Sequence, residues 1–165
     1  MVSHTEGPSR RDLFALVIYI PDPLGRFLDD LRKELVVGCR PRAHVTVLPP
    51  RPLAVDKNVA IEELRRGSYA FAPFDLTLGE IEVFPETDVI FLSLANGGRE
   101  LREMYKALNK GGVSFKEPFA YHPHITLAQG LAPNQVKPLF EAASRSWAEF
   151  PHSHGFRGEK FNFAG

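Results

Sequence analysis

The chain predicts a two-lobed α+β fold with a pseudo-twofold axis, each lobe contributing one strand to a central cleft. Three observations predict it. The phrase His44-Val45-Thr46-Val47 returns eighty positions later as His124-Ile125-Thr126-Leu127. Each copy closes a strand–helix–strand run. In each, polar and apolar residues alternate with the period of two that marks a half-buried strand, so the His and Thr of one copy point to one face. With six His and five Thr in 165 residues, chance supplies only about 0.2 His-x-Thr triplets.

The elements follow from local pattern. Leu13 to Ile20 is an apolar run of strand length stopped by Pro21. Asp22 and Pro23 read as a helix N-cap and first helical position. Leu24, Phe27, Leu28, Leu31 and Leu35 continue at helical spacing, with Gly38 to end the element. The first His-x-Thr strand comes next and breaks at Pro49-Pro50, and a short helix is expected from about Asp56 to Arg66. The second half opens with strands over 74–84 and 89–94, joined by a hairpin loop of Pro85, Glu86, Thr87 and Asp88. A helix with Leu101, Met104, Tyr105 and Leu108 on one face then closes at Gly111-Gly112, ahead of the second His-x-Thr strand. A last helix carries Val136, Leu139, Phe140, Ala143 and Trp147, with Pro138 expected in its first turn because proline deeper in would break it. The end, Gly155 to Gly165, is short and glycine-rich, with no clear last strand.

Composition narrows the classes. The length suits one domain over residues 1–165, with residues 1–11 as a polar tail lacking the apolar core of a signal peptide. Twenty basic against twenty acidic residues leave no net field for a long polyanion. A nucleic-acid partner would therefore be a short piece or an end, with no extended binding surface. The lone Cys39 excludes an intramolecular disulfide framework and a Cys-rich zinc module. No stretch approaches the roughly 18 apolar residues of a membrane span. A cytoplasmic monomer is the expectation.

The repeated motif carries the chemistry. Two such strands brought together line one cleft with two imidazoles and two hydroxyls, a set suited to acid–base work on a phosphate ester without metal or cofactor. One imidazole, neutral, takes the proton of an attacking water, and the other, protonated, supplies the departing oxygen. The residue types alone allow either assignment. Threonine hydroxyls can hydrogen-bond the non-bridging phosphate oxygens, where charge gathers in the transition state.

The flanks sharpen the picture. Phe119-Ala120-Tyr121-His122-Pro123-His124-Ile125-Thr126-Leu127-Ala128, together with Arg42-Ala43-His44-Val45-Thr46 and Leu48-Pro49-Pro50, resembles the two motifs of the two-histidine (2H) phosphoesterase superfamily. That group contains 2′-5′ RNA ligase-like proteins and cyclic nucleotide phosphodiesterases. The resemblance spans about residues 12 to 150. It implies two antiparallel sheets around a central groove with helices outside, and the four motif residues in the groove. It further implies a metal-independent phosphoesterase acting on a 2′,3′-cyclic phosphate or related phosphodiester, with reversible 2′-5′ ligation as a second direction. In it His44 is the acid, His124 the base, and Thr46 and Thr126 hold the phosphate. Gln129 stands where family members often carry a basic residue.

Other residues near the motifs are candidates for substrate binding. Arg42, Arg51 and Lys116 suit phosphate or carboxylate, Tyr121 and Phe119 could stack on a base, and His122 is placed to contact substrate. Two rival readings remain. The same fold could bind an RNA end or nucleotide without turnover. Alternatively, His122, His124, His152 and His154, spaced two apart in pairs, could gather around Zn²⁺ as a metal-dependent hydrolase.

Overall fold

The computed structural model describes residues 13–39 and 42–164, so the expected tail over residues 1–11 lies outside the described residues. The elements run in the expected order, with two strands more. They are β1 (Phe14–Tyr19), α1 (Leu24–Leu35), β2 (His44–Arg51), α2 (Lys57–Ser68), β3 (Phe74–Phe84), β4 (Val89–Asn96), α3 (Gly98–Leu108), β5 (Ile125–Ala128), α4 (Pro133–Ala148), β6 (Gly155–Gly158) and β7 (Asn162–Ala164). One sheet has the order β2-β1-β7 and the other β5-β4-β3-β6, with every described pairing antiparallel. Each His-x-Thr strand is an edge strand beside the first strand of its own unit, β2 on β1 and β5 on β4.

The pseudo-twofold relation is visible in the packing. Exchanging β1-α1-β2 with β4-α3-β5 maps one set of neighbours onto the other. Helix α1 packs on β5 and α3 on β2, while α2 lies on α3 and α4 on α1. Each lobe's crossover helix thus covers the motif strand of the opposite lobe. The apolar stripes explain why. Leu24, Leu28, Leu31 and Leu35 of α1, and Leu101, Met104 and Leu108 of α3, are all buried in a cluster that takes in both sheets. Gly25 lets the first turn of α1 approach the end of β1, since a Cβ there would collide with the Ile20 carbonyl.

Three local expectations are corrected. Pro23, not Asp22, occupies the N-cap of α1, and no side chain caps that end; the Gly25 and Phe27 amides instead donate to the carbonyls of Pro21 and Pro23. Pro138 lies in the second turn of α4 and does not break it. The start is held elsewhere, by Pro133 at the first helical position and by the Gln135 side chain accepting from the Ala132 amide at 2.9 Å. The glycine-rich end forms two strands. β6 pairs with β3 and β7 with β1, so this one segment adds an edge to both sheets. The short helix expected from about Asp56 to Arg66 is α2, Lys57–Ser68, and Asp56 caps it by accepting from the Asn58 amide at 2.9 Å.

A buried ion pair fastens β2 to the segment leading into β5. Arg51, the last residue of β2, is 1% exposed. It bonds the Glu117 carboxylate, the Asn109 side-chain oxygen at 2.5 Å, the Val113 carbonyl at 2.9 Å and the Pro49 carbonyl at 3.0 Å. Tyr105 of α3 donates its hydroxyl to the other oxygen of Glu117. Every polar group in this cluster has a partner, which is the condition for burying charge. Removing one partner leaves a charge stranded. Glu117→Gln or Arg51→Met is expected to cost about 3–5 kcal/mol in denaturant unfolding. Replacing both with apolar residues of similar volume should recover most of that loss.

Candidate active site

The two motif strands meet across the lobes. β2 lies against β5, and the Tyr121 hydroxyl donates to the Thr46 carbonyl at 2.7 Å, tying the approach to β5 onto β2. Register places Thr46 opposite Val17 and His44 opposite Tyr19, while Thr126 lies opposite Phe91. Directly opposed residues share a sheet face, so each Thr and its neighbouring His look out over the same surface. His124 stands one residue ahead of β5, not inside it.

Both imidazoles are held in the same way. His44 Nδ1 lies 2.8 Å from the Arg42 carbonyl oxygen, and His124 Nδ1 lies 2.6 Å from the His122 carbonyl oxygen. A carbonyl only accepts, so Nδ1 carries the hydrogen in each ring. When neutral, each ring therefore presents a lone pair at Nε2; when protonated, it presents an N–H there. Among the described residues no hydrogen-bond partner takes either Nε2, nor the hydroxyl of Thr46 or Thr126. Four polar groups of the repeated motif are left available.

The surroundings of the two rings differ. Ala43, before His44, gives its amide to the Asp29 carboxylate of α1 at 2.5 Å, and Arg32 lies 3.6 Å from the same oxygen. In the second motif that position is Pro123, which has no amide to satisfy. Tyr19 stands edge-on to His44, with the Arg42 guanidinium 4.2 Å above its ring. His124 sits edge-on to both Phe84 and Phe91, which stack on each other at 3.9 Å, and beside His122.

These environments act on protonation. Burial is the largest influence on both rings and holds each below the ordinary imidazole value. For His44 the Arg42 carbonyl opposes the lowering, Arg32 adds to it and Asp29 opposes it. For His124 the His122 carbonyl opposes it, and the charges of His122 and His44 add to it. The two motif histidines are close enough to feel each other's charge.

The remaining candidates divide. Arg42 and His122 are exposed next to the motif rings, and Lys116 is exposed beside Glu117. Arg51 is corrected: its guanidinium is buried and committed to Glu117, Asn109 and Val113, so it holds the fold and is not presented to a ligand. Tyr121 is corrected in part. Its hydroxyl is bound to Thr46 and its ring is stacked on Tyr105 at 4.4 Å, so it is a tie between strands more than a free platform. Phe119 is 75% exposed. The four-histidine cluster does not assemble. His154 stacks on Trp147 at 3.9 Å and His152 packs on Phe150, whereas His122 and His124 lie on the Phe84–Phe91 pair. No group of three or more His, Cys, Asp or Glu among the described residues is placed to hold a metal ion. Sequence reasoning missed Tyr19, Phe84, Phe91, Asp29 and Arg32. The signal for Tyr19 was its place at the end of the strand next to the motif strand; for Asp29 and Arg32 there was none.

Residues 20–158 match the family model of the 2′-5′ RNA ligase superfamily, and the chain belongs to that family. None of the curated proteins matches it by sequence. Among solved structures, E. coli LigT complexed with 3′-AMP superposes with a TM-score of 0.61 at 16% identity, over 92% of this chain and 86% of that one. Apo LigT gives 0.59 at 18% identity, over 92% and 85%. A protein described as a phosphoesterase gives 0.59 at 16% identity, over 92% and 86%. At this identity the likeness is one of fold, the two-sheet α+β architecture described above.

The lowered histidines have a measurable consequence. A group whose folded pKa lies below its unfolded value stabilises the native state fully above the unfolded value, and that contribution is lost as pH falls toward the folded one. Proton NMR should show His44 and His124 titrating below the ordinary value near 6.5. Unfolding measurements between pH 7 and 5 should show an acid-side loss of stability that a His44→Gln/His124→Gln variant shows less.

Proposed function

We propose that this chain is a phosphoesterase that opens a 2′,3′-cyclic phosphate, or a related phosphodiester of an RNA end or nucleotide, by acid–base catalysis between His44 and His124. One observation carries the reading. Two imidazoles in equivalent positions of two lobes each have Nδ1 anchored to the carbonyl two residues back, with Nε2 left for a substrate. A structural histidine has no need of such a pair, and proton transfer at both ends of a phosphorus centre requires it.

In this mechanism water attacks phosphorus as His124 Nε2 takes its proton. The bond from phosphorus to a ribose oxygen breaks, and that oxygen receives the proton on His44 Nε2. The hydroxyls of Thr46 and Thr126 bond the non-bridging oxygens, preorganised donors aimed where charge develops. The assignment of His44 as acid and His124 as base is the one the family resemblance implies. Around His44 the Arg32 guanidinium disfavours the cation more than the Asp29 carboxylate favours it, and around His124 both neighbouring imidazoles disfavour it, so the neighbouring charges do not distinguish the two rings. With a 5′-hydroxyl in place of water the same ring-opening forms a 2′-5′ linkage, His124 taking the proton of the attacking hydroxyl and His44 protonating the departing 3′ oxygen. The crystallisation of LigT with 3′-AMP and with phosphate supports a small phosphorylated ligand for a groove of this architecture. The chemistry needs no Lewis acid.

Incubating the purified chain with nucleoside 2′,3′-cyclic phosphates, with and without EDTA, is the decisive experiment. Ring-opening at an unchanged rate in chelator is expected. Loss in EDTA restored by zinc would move the activity to a metal-dependent reaction, and binding of the nucleotide without turnover would mark a binding module. His44→Ala and His124→Ala should each lower the rate about 10²–10⁴-fold. Thr46→Ala and Thr126→Ala should each cost on the order of 10²-fold. Because both rings are lowered, the bell-shaped profile of kcat/KM should peak on the acid side of about 6.5. A His44→Ala chain that keeps full turnover with its fold intact would overturn the reading.

A further inference from the structure

Helix α1 borders both motif strands. It packs on β5, and its Asp29 carboxylate takes the Ala43 amide at 2.5 Å, one residue before His44. Arg32 stands one turn further along the same helix. Its side chain is 13% exposed, and its Nε and Nη1 atoms are buried with no hydrogen-bond partner. The Asp29 carboxylate lies 3.6 Å from Nη1, near enough to offset charge and too far for a hydrogen bond. The guanidinium acts on the His44 ring more strongly than Asp29 does, which keeps it within the range of that ring's charge.

A buried polar group without a partner needs a reason. The last turn of α1 favours a cation through the helix dipole, but the exposed Lys33 gains the same benefit without burial. The other lobe shows what a structural residue at this position looks like. Leu28, Leu31 and Leu35 of α1 correspond to Leu101, Met104 and Leu108 of α3, so Arg32 corresponds to Tyr105. Tyr105 is fully engaged, with its hydroxyl on Glu117 and its ring stacked on Tyr121. Arg32 has no such closure among the described residues. One copy of the position ties the fold, and the other is left with donors to spare.

We propose that Arg32 binds a non-bridging oxygen of the substrate phosphate, swinging from its rest position beside Asp29 to do so. The proposal rests on the phosphoesterase reading for the identity of the anion. Leaving the rest position breaks no hydrogen bond at Nε or Nη1, so the movement forfeits little. The chemistry supplies the demand. One ring gains a proton as the other gives one up, so the two histidines together carry a single positive charge throughout. Attack by water adds negative charge to a phosphate that is already anionic, and the threonine hydroxyls are neutral. A second cation, one that cannot deprotonate, completes the balance. Other arginines near the motif strands are engaged elsewhere: Arg42 lies over the Tyr19 ring, Arg51 is bound to Glu117, and Arg102 faces the Tyr121 carbonyl.

A ligand-binding role and a structural one predict opposite effects on stability, and the test reads both. Arg32→Met removes the unsatisfied cation and keeps the length of the side chain. The variant is expected to unfold at the same temperature as the wild type or higher, since an unpaired buried group is a liability in the free chain. Calorimetric titration of the full chain with inorganic phosphate should show affinity about ten- to a hundredfold weaker, the scale of a lost charge-assisted contact. Phosphate should accordingly raise the unfolding temperature of the wild type more than that of the variant. On adenosine 2′,3′-cyclic phosphate kcat/KM should fall by at least the same factor, because the non-bridging oxygens carry more charge in the transition state than in the bound ester.

Arg32→Lys keeps a cation beside Asp29, and with it any structural pairing, but loses the planar fork. It should fold as the wild type does and bind phosphate more weakly than the wild type and more tightly than Arg32→Met. An Arg32→Met chain that loses stability while an Arg32→Lys chain binds phosphate at full affinity would mark the guanidinium as a tie to Asp29 and overturn the proposal. Unchanged kcat/KM in either folded variant would overturn it too, and leave the phosphoesterase reading standing. A wild-type chain that binds phosphate through Arg32 but hydrolyses no cyclic phosphate would sink the phosphoesterase reading and keep Arg32 as an anion-binding residue.

Discussion

Arg51 and Glu117 are 66 positions apart in the chain and are joined in its interior. The pair closes the far end of β2 onto the segment that leads into β5, and the hydroxyl of Tyr121 closes the near end onto Thr46. Both ties are needed because the motif strands are edge strands of separate sheets, with no backbone ladder between them. Apolar packing of α1 and α3 across the lobes supplies the bulk of the attraction, but it is non-directional. A hydrogen-bonded charge pair has a narrow geometry. The buried cluster of Arg51, Asn109, Tyr105 and Glu117 therefore fixes how one half meets the other, and the relative placement of the two histidines follows from it.

On that frame, the duplication supplies two copies of one device and the surroundings make them unequal. The copies share the anchoring of Nδ1 to the carbonyl two residues back. They differ in what faces them: a carboxylate–guanidinium pair, a tyrosine and open space near His44; two phenylalanines and a third imidazole near His124. Symmetric geometry is useful for a reaction that moves one proton onto the centre and another off it. Symmetric protonation is not, since two neutral or two cationic rings leave one step without a partner.

The parts of this arrangement legible in sequence were those written in local period. The strands around His44 and Thr46 alternate, the stripe from Leu24 to Leu35 repeats at helical spacing, and both survive in the structure because each element buries one face. The candidate site residues were legible because the motif is repeated. What was not legible depends on pairing across the chain. Arg51 next to Pro49-Pro50 looks like any basic loop residue until Glu117 is placed beside it. β6 and β7 are four and three residues long, too short for a period, and are strands only because β3 and β1 offer them an edge. Pro138 falls in the second turn because Pro133 and Gln135, not Pro138, set the start of α4.

The last of those elements bears on function. β7 contributes Ala164 opposite Ala15, and with it one wall of the space beside His44. Without that strand the sheet would end at β1, and the face beyond Val17 would be open to water. The first motif strand and the pocket next to it are therefore built from chain segments more than a hundred residues apart. The second motif strand belongs to a sheet that already has β3 beside β4, and its histidine rests on Phe84 and Phe91 from that hairpin. One lobe fills the space beside its histidine with its own aromatic side chains; the other lines it with the small side chains of Ala15 and Ala164.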